Sequence, residues 1–501
     1  MSIFGRGKKK ADKGKNVDRT PAVQRERQPR EVRRKWWANW LGAYDLRTPM
    51  MPSTTKQTAA LHLAVASAPT SSRGLYAGED LMTGWPVFSD PIQGYKDREL
   101  TSPNVVIIGD VGGGKSSMAK TWVVMRNLML GRRVVVVDKK MQAAGDESGE
   151  HEGEYALLAR ALGVEPIRFT GKPGGVRINP LDPVITGSNG MTAGQTELLR
   201  AILAEVMDRP LTQEESKALR VARDGAVRVA QRQGRIATIQ DVTRFLLEPD
   251  EETVQAQRGL YSVQDYAQWG RLIGFALEEC IEGDLAGLID GATSEQIQLR
   301  AGLTVFDISA LPDSGPAVPV VMAIINTWLR STLIAQTEVV PTFLLVEEGW
   351  HLVTGSFAKV SQQNTKKSRG LALSTVTCYQ HLSDVPADSP AIATIKEAGT
   401  VILFKQERDD DATHCQRLFG LPPAASDLMK NLEQGCCLFK VGTQPAILMR
   451  AARSPIEAEL ANTDGALLSK GRISVTEVDA VVEASDLDAP VEPVPAGGPV
   501  S

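Results

Sequence analysis

The chain is 501 residues long, 42% hydrophobic and 23% charged, with a formal net charge of −4. That length exceeds one ordinary core, so two or more domains are expected, and the composition is globular rather than fibrous. So near a charge balance singles out no partner class for the chain as a whole.

Residues 1–35 hold thirteen Lys or Arg against four acids, a net of +9, without apolar periodicity. Such a stretch reads as a basic disordered tail. It could neutralise nucleic-acid phosphates, and a solvated tail explains it as well. Residues 36–72 form a docking segment that opens with Trp36, Trp37 and Trp40 behind the basic cluster. Two readings stay open for it. One is a helix lying on an anionic membrane, with residues 1–45 making a peripheral contact. The other is a segment that packs its tryptophans on protein. The N-terminus has no apolar signal core.

Ordered texture begins at residue 73. "GLYAGEDLMTGWPVFSD" alternates and turns like a hairpin. "NVVIIGD" (104–110) and "RRVVVVDKK" (132–140) are β-branched runs, and the segment between them has helical length and spacing. That is a strand–helix–strand unit with buried parallel strands. Residues 185–299 read as an all-helical insertion. There "TELLRAILAEVM" lines up Leu198, Leu199, Ile202, Leu203 and Val206, and Thr212/Glu215 and Thr238/Asp241 form capping boxes.

Strands resume with "LTVFDIS", "TFLLVEE", "LALSTVTCYQ", "GTVILFKQ" and the pair in "GCCLFKVGTQPAILMRA". "VPVVMAIINTWLRSTLIA" interrupts its apolar run with Asn326 and Arg330 and reads as a buried helix, not a membrane span. Residues 466–501 form an acidic tail expected to be disordered. The fold class is therefore α/β: a core with a mostly parallel sheet over 73–184 and 300–465, carrying the helical insertion between disordered termini, and the glycine-rich "GDVGGGKSS" that follows β-branched "NVVII" makes it a RecA-like P-loop NTPase core. The five cysteines have no zinc-finger spacing and are expected to be reduced. The five histidines show no metal-ligand spacing.

"GDVGGGKSS" matches G-x-x-x-x-G-K-[ST], a Walker A loop, at Gly109, Gly114, Lys115 and Ser116. Backbone N–H groups of Gly109, Asp110, Val111, Gly112, Gly113, Gly114, Lys115, Ser116 and Ser117 are placed to cradle an anion at a helix N-terminus. Lys115 would reach the β- and γ-phosphates of ATP, and the Ser116 hydroxyl would ligate Mg²⁺. Such a site needs a second strand that ends in acid. "FLLVEE" supplies Glu347 for the magnesium side and Glu348 as the base that polarises water. Asp307, which ends "LTVFDIS", is the rival, and Asp138 sits at the same kind of strand end.

"GDVGGGKSS", "VVVVDKK", "RINPLDP", "LTVFDIS", "LLVEEGWHLV" and "SRGLALSTVTCYQHLSDV" follow one another in an order that resembles the conjugation and type IV secretion ATPases of the VirB-four and TraC kind. These belong to the HerA–FtsK branch of P-loop motors, and the resemblance spans roughly residues 73 to 460. It implies that Glu348 matches the family's catalytic Glu and that Trp350 matches its Trp. It also implies that Arg369 faces a neighbour's nucleotide and that Gln380 senses the γ-phosphate. A solvated charge is the plainer reading of Arg369, and a strand-end polar cap that of Gln380. His351 reads as a packed or capping residue beside the site. Glu347 stands where the family usually has Asp, one methylene longer. A basic, Trp-bearing segment takes the place of the longer N-terminal docking domain of larger members.

The resemblance implies a bacterial hydrolase, an ATP-hydrolysing ring, possible as a hexamer, that works with Mg²⁺ in conjugative DNA or protein transfer. Its partners would be channel proteins, with DNA as a further candidate. Its place would be cytoplasmic, peripheral to the inner face of the cell membrane. Two alternatives stand beside it: an FtsK-like double-stranded DNA translocase or coupling protein, and an ATP-gated scaffold with little hydrolysis.

Overall fold

The computed structural model describes residues 73–461 apart from 144–150, 173, 187–192, 256–260, 350–368, 386–388, 390, 391, 393 and 394. The readings for residues 1–72 and 466–501, and those for Trp350 and His351, lie outside the described residues.

The alternating segment after Gly74 forms the hairpin its pattern predicts. β1 (Leu75–Asp80) pairs antiparallel with β2 (Pro86–Ser89). Asp80 pins the turn by accepting hydrogen bonds from Met82 N (2.8 Å) and Thr83 Oγ1 (2.6 Å). A short helix α1 (Pro91–Lys96), capped by Asp90, leads to β3 (Val105–Ile108). Next, Lys115–Met118 runs through a π-helical stretch, Ala119–Met125, into Arg126–Met129, together α2. β4 (Arg133–Asp138) follows. β5 (Met141–Ala143) and β6 (His151–Gly153) pair as a small antiparallel ribbon, before α3 (Ala156–Ala161) and β7 (Ile167–Arg168).

From there to residue 302 the described regular elements are helical. They include α4 (Ala193–Val206), α5 (Gln213–Arg232), α6 (Ile239–Leu247), α7 (Glu251–Gln255) and α8 (Val263–Glu282). Thr212 N donates to Glu215 Oε2 at 2.9 Å and Thr238 N to Asp241 Oδ2 at 2.9 Å, so both boxes start their helices by satisfying N-terminal backbone donors. On α4 the predicted stripe turns inward: Leu198, Leu199, Ile202 and Leu203 are buried.

The chain then returns to β8 (Leu303–Asp307), α9 (Ala317–Ala335), β9 (Thr342–Val346), β10 (Leu373–Tyr379) and β11 (Thr400–Leu403). It continues through α10 (Asp409–Leu418), α11 (Ala424–Lys430), β12 (Cys436–Val441), β13 (Ile447–Ala451) and α12 (Pro455–Leu460). α9 is long and apolar enough to cross a membrane, yet 78% of its apolar window is buried within the protein, which makes it a core helix here.

The main sheet has eleven strands in the order β2-β1-β13-β12-β11-β3-β10-β9-β4-β8-β7. β11 through β7 pair in parallel, and β12, β13, β1 and β2 extend one side as an antiparallel wing. The continuous apolar runs have a physical reason. Val106, Ile108, Val135, Val137, Leu344 and Val346 pack into one core, while Val105, Ile107, Val134, Val136, Phe343 and Leu345 pack into another. Alternate side chains thus enter separate cores on opposite faces, and a strand covered on both sides has no polar face to show. Trp122 of α2 belongs to the second core; α9 and the inserted helices fill the first. Because the strands are parallel, β3, β4, β8, β9 and β10 all end at one edge, where open α/β sheets take ligands.

Candidate functional site

The phosphate loop leaves β3 at that edge and is held by its neighbours. Gly109 N donates to Tyr379 O (3.2 Å), Asp110 N to Lys405 O (2.9 Å), and Gly435 N to Gly113 O (3.0 Å). Gly109 has φ +157°, and a Cβ there would lie 2.6 Å from Phe404 Cβ, so the loop requires glycine to pass β11 this closely. Lys115 Nζ folds back onto the loop, donating to the Gly109 carbonyl and to Asp110 O at 2.9 Å. Burial holds its ammonium below the ordinary lysine value. Asp110 is braced from the other side: Glu407 N donates to its Oδ2, and His381 Nδ1 stands 3.5 Å from its Oδ1 and 3.0 Å from Asp411 Oδ2.

Two acids follow β9. Glu347 is 4% exposed and accepts a hydrogen bond from the Tyr155 hydroxyl at 2.6 Å. Burial raises its carboxyl above the ordinary range, and burial raises the Tyr155 phenol well above its own. The pair is therefore a neutral donor on a buried acceptor. Glu348 takes φ +54°, an unusual conformation for a residue with a side chain, and accepts from Gln380 Nε2 at 2.8 Å. Gln380 stands one residue beyond β10, so strand order alone brings it beside Glu348.

Lys115, Ser116, Glu347, Glu348 and Gln380 line a single cleft of about 510 Å³, together with Val111, Gly112, Gly114 and Ser117. Arg369 opens a 3₁₀ turn, Arg369–Leu371, at the far end of β10 from Gln380. A strand of that length spans about 20 Å.

Asp307 and Asp138 have another task. Asp307 accepts from Gly153 N (3.1 Å) and Ser309 N (2.9 Å), and Asp138 from Tyr155 N (2.7 Å) and Lys140 N (3.2 Å). A Cβ on Gly153 would sit 2.4 Å from Asp138 Oδ2. The two strand-end acids thus clamp the backbone of residues 153–155, and that clamp sets Glu154 at the cleft and Tyr155 against Glu347.

Glu154 is a residue that the sequence reading missed. It is 1% exposed and pairs with Lys120 (3.2 Å) and Lys140 (2.9 Å); its Oε2 lies 3.4 Å from Ser116 Oγ. Burial works against its ionisation, but the two lysines outweigh it and hold the carboxyl below its ordinary range. Gln434, Arg450 and Arg453 close the other wall, and Arg453 Nη1 donates to Ser117 Oγ at 3.0 Å. The one sequence signal for this group was the lysine pair after β4, at the ligand-binding edge.

These residues suit a magnesium–nucleoside triphosphate. A helix N-terminus, a lysine and a hydroxyl face the space where phosphates would lie, and buried acids stand on the metal side. Magnesium usually takes few protein ligands and shares substrate phosphates; among the described residues no cluster of three or more His, Cys, Asp or Glu has the form of a metal cage.

No known family profile and no curated protein matches the chain. Solved structures do. VirB4 of Thermoanaerobacter pseudethanolicus is similar with a TM-score of 0.62 and 24% identity, over 78% of this chain and 100% of that one. The plasmid coupling protein TrwB, in complex with the non-hydrolysable ATP analogue ADPNP, gives a TM-score of 0.51 and 14% identity, over 77% and 90%. The sheet order, the loop after β3 and the helical insertion therefore build the fold that the sequence resemblance implied, the one shared by VirB4 and TrwB.

Proposed function

We propose that the chain binds ATP at the cleft above β3 and hydrolyses it, as the motor of a conjugative-transfer or type IV secretion apparatus at the cytoplasmic face of the membrane. One observation carries this: Lys115, Ser116, Glu347, Glu348 and Gln380, spread over 266 positions of sequence, line one cleft. The fold shared with VirB4 and TrwB supports the kind of motor, and the bound ATP analogue in TrwB supports the ligand.

In this reading the loop amides and Lys115 hold the β- and γ-phosphates. Ser116 and Glu347 would hold a magnesium ion, which would supply neutralisation of the phosphate charge. Glu348 orients a water and takes its proton as oxygen bonds to the γ-phosphorus and the bond to ADP breaks, releasing ADP and phosphate. Gln380 holds Glu348 in place through their hydrogen bond. Arg369, at the far end of β10, is assigned to the neighbouring subunit of a ring.

A second reading, an ATP-gated scaffold, draws on the same bond. Glu348 is already engaged by Gln380, and a base held off its water would leave binding without turnover. Steady-state hydrolysis with Lys115→Ala as the blank separates the two. Turnover lost in the blank and indifferent to duplex DNA supports the secretion motor. Strong stimulation by DNA supports a translocase, and binding without turnover supports the scaffold.

A further inference from the structure

The corner of the cleft at Ser116 already holds a cation. Lys140 Nζ lies 2.9 Å from Glu154 Oε2 and 3.4 Å from Ser116 Oγ, and that hydroxyl lies 3.4 Å from the same carboxylate oxygen. One ammonium, one hydroxyl and one carboxylate meet at the place where the loop chemistry calls for a divalent ion. Glu347 and Glu348 line the same cleft. The ammonium thus faces three acids at a position where magnesium would neutralise them.

The two partners are held very differently. The Glu154 side chain is 1% exposed and keeps a second, buried partner in Lys120, while the Lys140 side chain is 40% exposed. Glu154 would therefore stay compensated if Lys140 moved away. Lys140 has a fixed root as well, since its backbone N–H donates to Asp138 Oδ1 at 3.2 Å. Its head can leave the corner while its stem cannot. A divalent ion on Ser116 would stand within a few ångströms of this ammonium, where like charges in a partly buried site repel strongly.

We propose that Lys140 is a tethered cation on the magnesium side of the phosphate cleft: the nucleotide binds with Lys140 in place, and magnesium enters only by displacing its ammonium from Ser116 and Glu154. This rests on the nucleotide reading of the cleft. It makes Lys140 a residue that sets metal dependence, a role separate from those of Lys115 and Glu348. It also gives a physical meaning to a lysine two residues beyond a strand-end acid.

Calorimetry with ADP, first in chelator and then over a magnesium series, tests it on wild type, Lys140→Met and Lys140→Arg. Wild type should bind ADP with little gain from magnesium. Lys140→Met should bind ADP alone about tenfold more weakly and recover at a lower magnesium concentration. Lys140→Arg keeps the charge and should retain the affinity in chelator. An unchanged magnesium dependence in Lys140→Met overturns the tethered cation and leaves a plain ion pair with Glu154. Failure of wild type to bind ADP under any condition overturns the nucleotide reading itself, a distinguishable result.

Discussion

The Tyr155 hydroxyl donates to Glu347 at 2.6 Å across 192 positions of sequence, and both side chains are almost wholly buried. A buried carboxylate that loses its donor bears the desolvation cost alone. Tyr155→Phe should therefore lower stability by about 1–3 kcal/mol. It should also push the Glu347 carboxyl further above its ordinary range, since the tyrosine bond now acts against burial. Urea unfolding reads the first effect. An unchanged midpoint would mean that Glu347 finds another donor.

Glu348→Gln keeps the shape of the site and the contact with Gln380 while removing the proton acceptor. ATP binding should persist, and turnover should fall by about 10²–10⁴-fold. Equal loss of binding would make Glu348 part of the binding surface instead.

Gly109→Ala places a methyl 2.6 Å from Phe404 Cβ at a backbone angle that disfavours side chains. The loop must shift away from β11, so nucleotide affinity should drop sharply, with a stability loss of about 1–3 kcal/mol. A variant with wild-type ADP affinity would show that the loop tolerates the shift.

Lys120 and Glu154, each 1% exposed at the side chain, form a buried pair at 3.2 Å. Breaking it in Lys120→Met should cost less than the ~3–5 kcal/mol of a fully uncompensated buried charge, because Glu154 keeps Lys140, 40% exposed, as its remaining partner. The double variant Lys120→Met with Glu154→Gln should recover a large part of that loss. Additive losses in thermal unfolding would argue against direct coupling.

Asp138 carries a carboxyl raised well above its ordinary value, first by burial. The folded state thus holds a proton that the unfolded chain releases at about pH 4. Its contribution to stability is complete below that pH and is lost as pH rises toward the folded value. Asp138→Asn does not titrate, so its stability relative to wild type should improve as pH climbs above about 4. Denaturation at a series of pH values reads this, and a pH-independent difference would contradict it.

The continuous β-branched runs determined much of the fold by themselves. A strand with no polar face is stable only when both faces are covered, and "NVVIIGD" and "RRVVVVDKK" could hardly be anything but central parallel strands. The phosphate loop was equally legible, because its chemistry comes from contiguous residues at a strand-to-helix turn. The acids after β9 could be proposed for the same edge, since strand ends are where parallel sheets gather their ligands.

What the sequence could not decide was which strands are neighbours. β4 lies between β9 and β8, and that order alone brings Tyr155 to Glu347 and turns Asp307 from a metal candidate into a backbone clamp. Only the lysine pair after β4 hints at Lys140, and nothing local marks Glu154, whose contact with Ser116 spans 38 positions of sequence. A residue's chemistry is written in its side chain, but its charge state and its partner depend on burial and distance. Those belong to the tertiary structure.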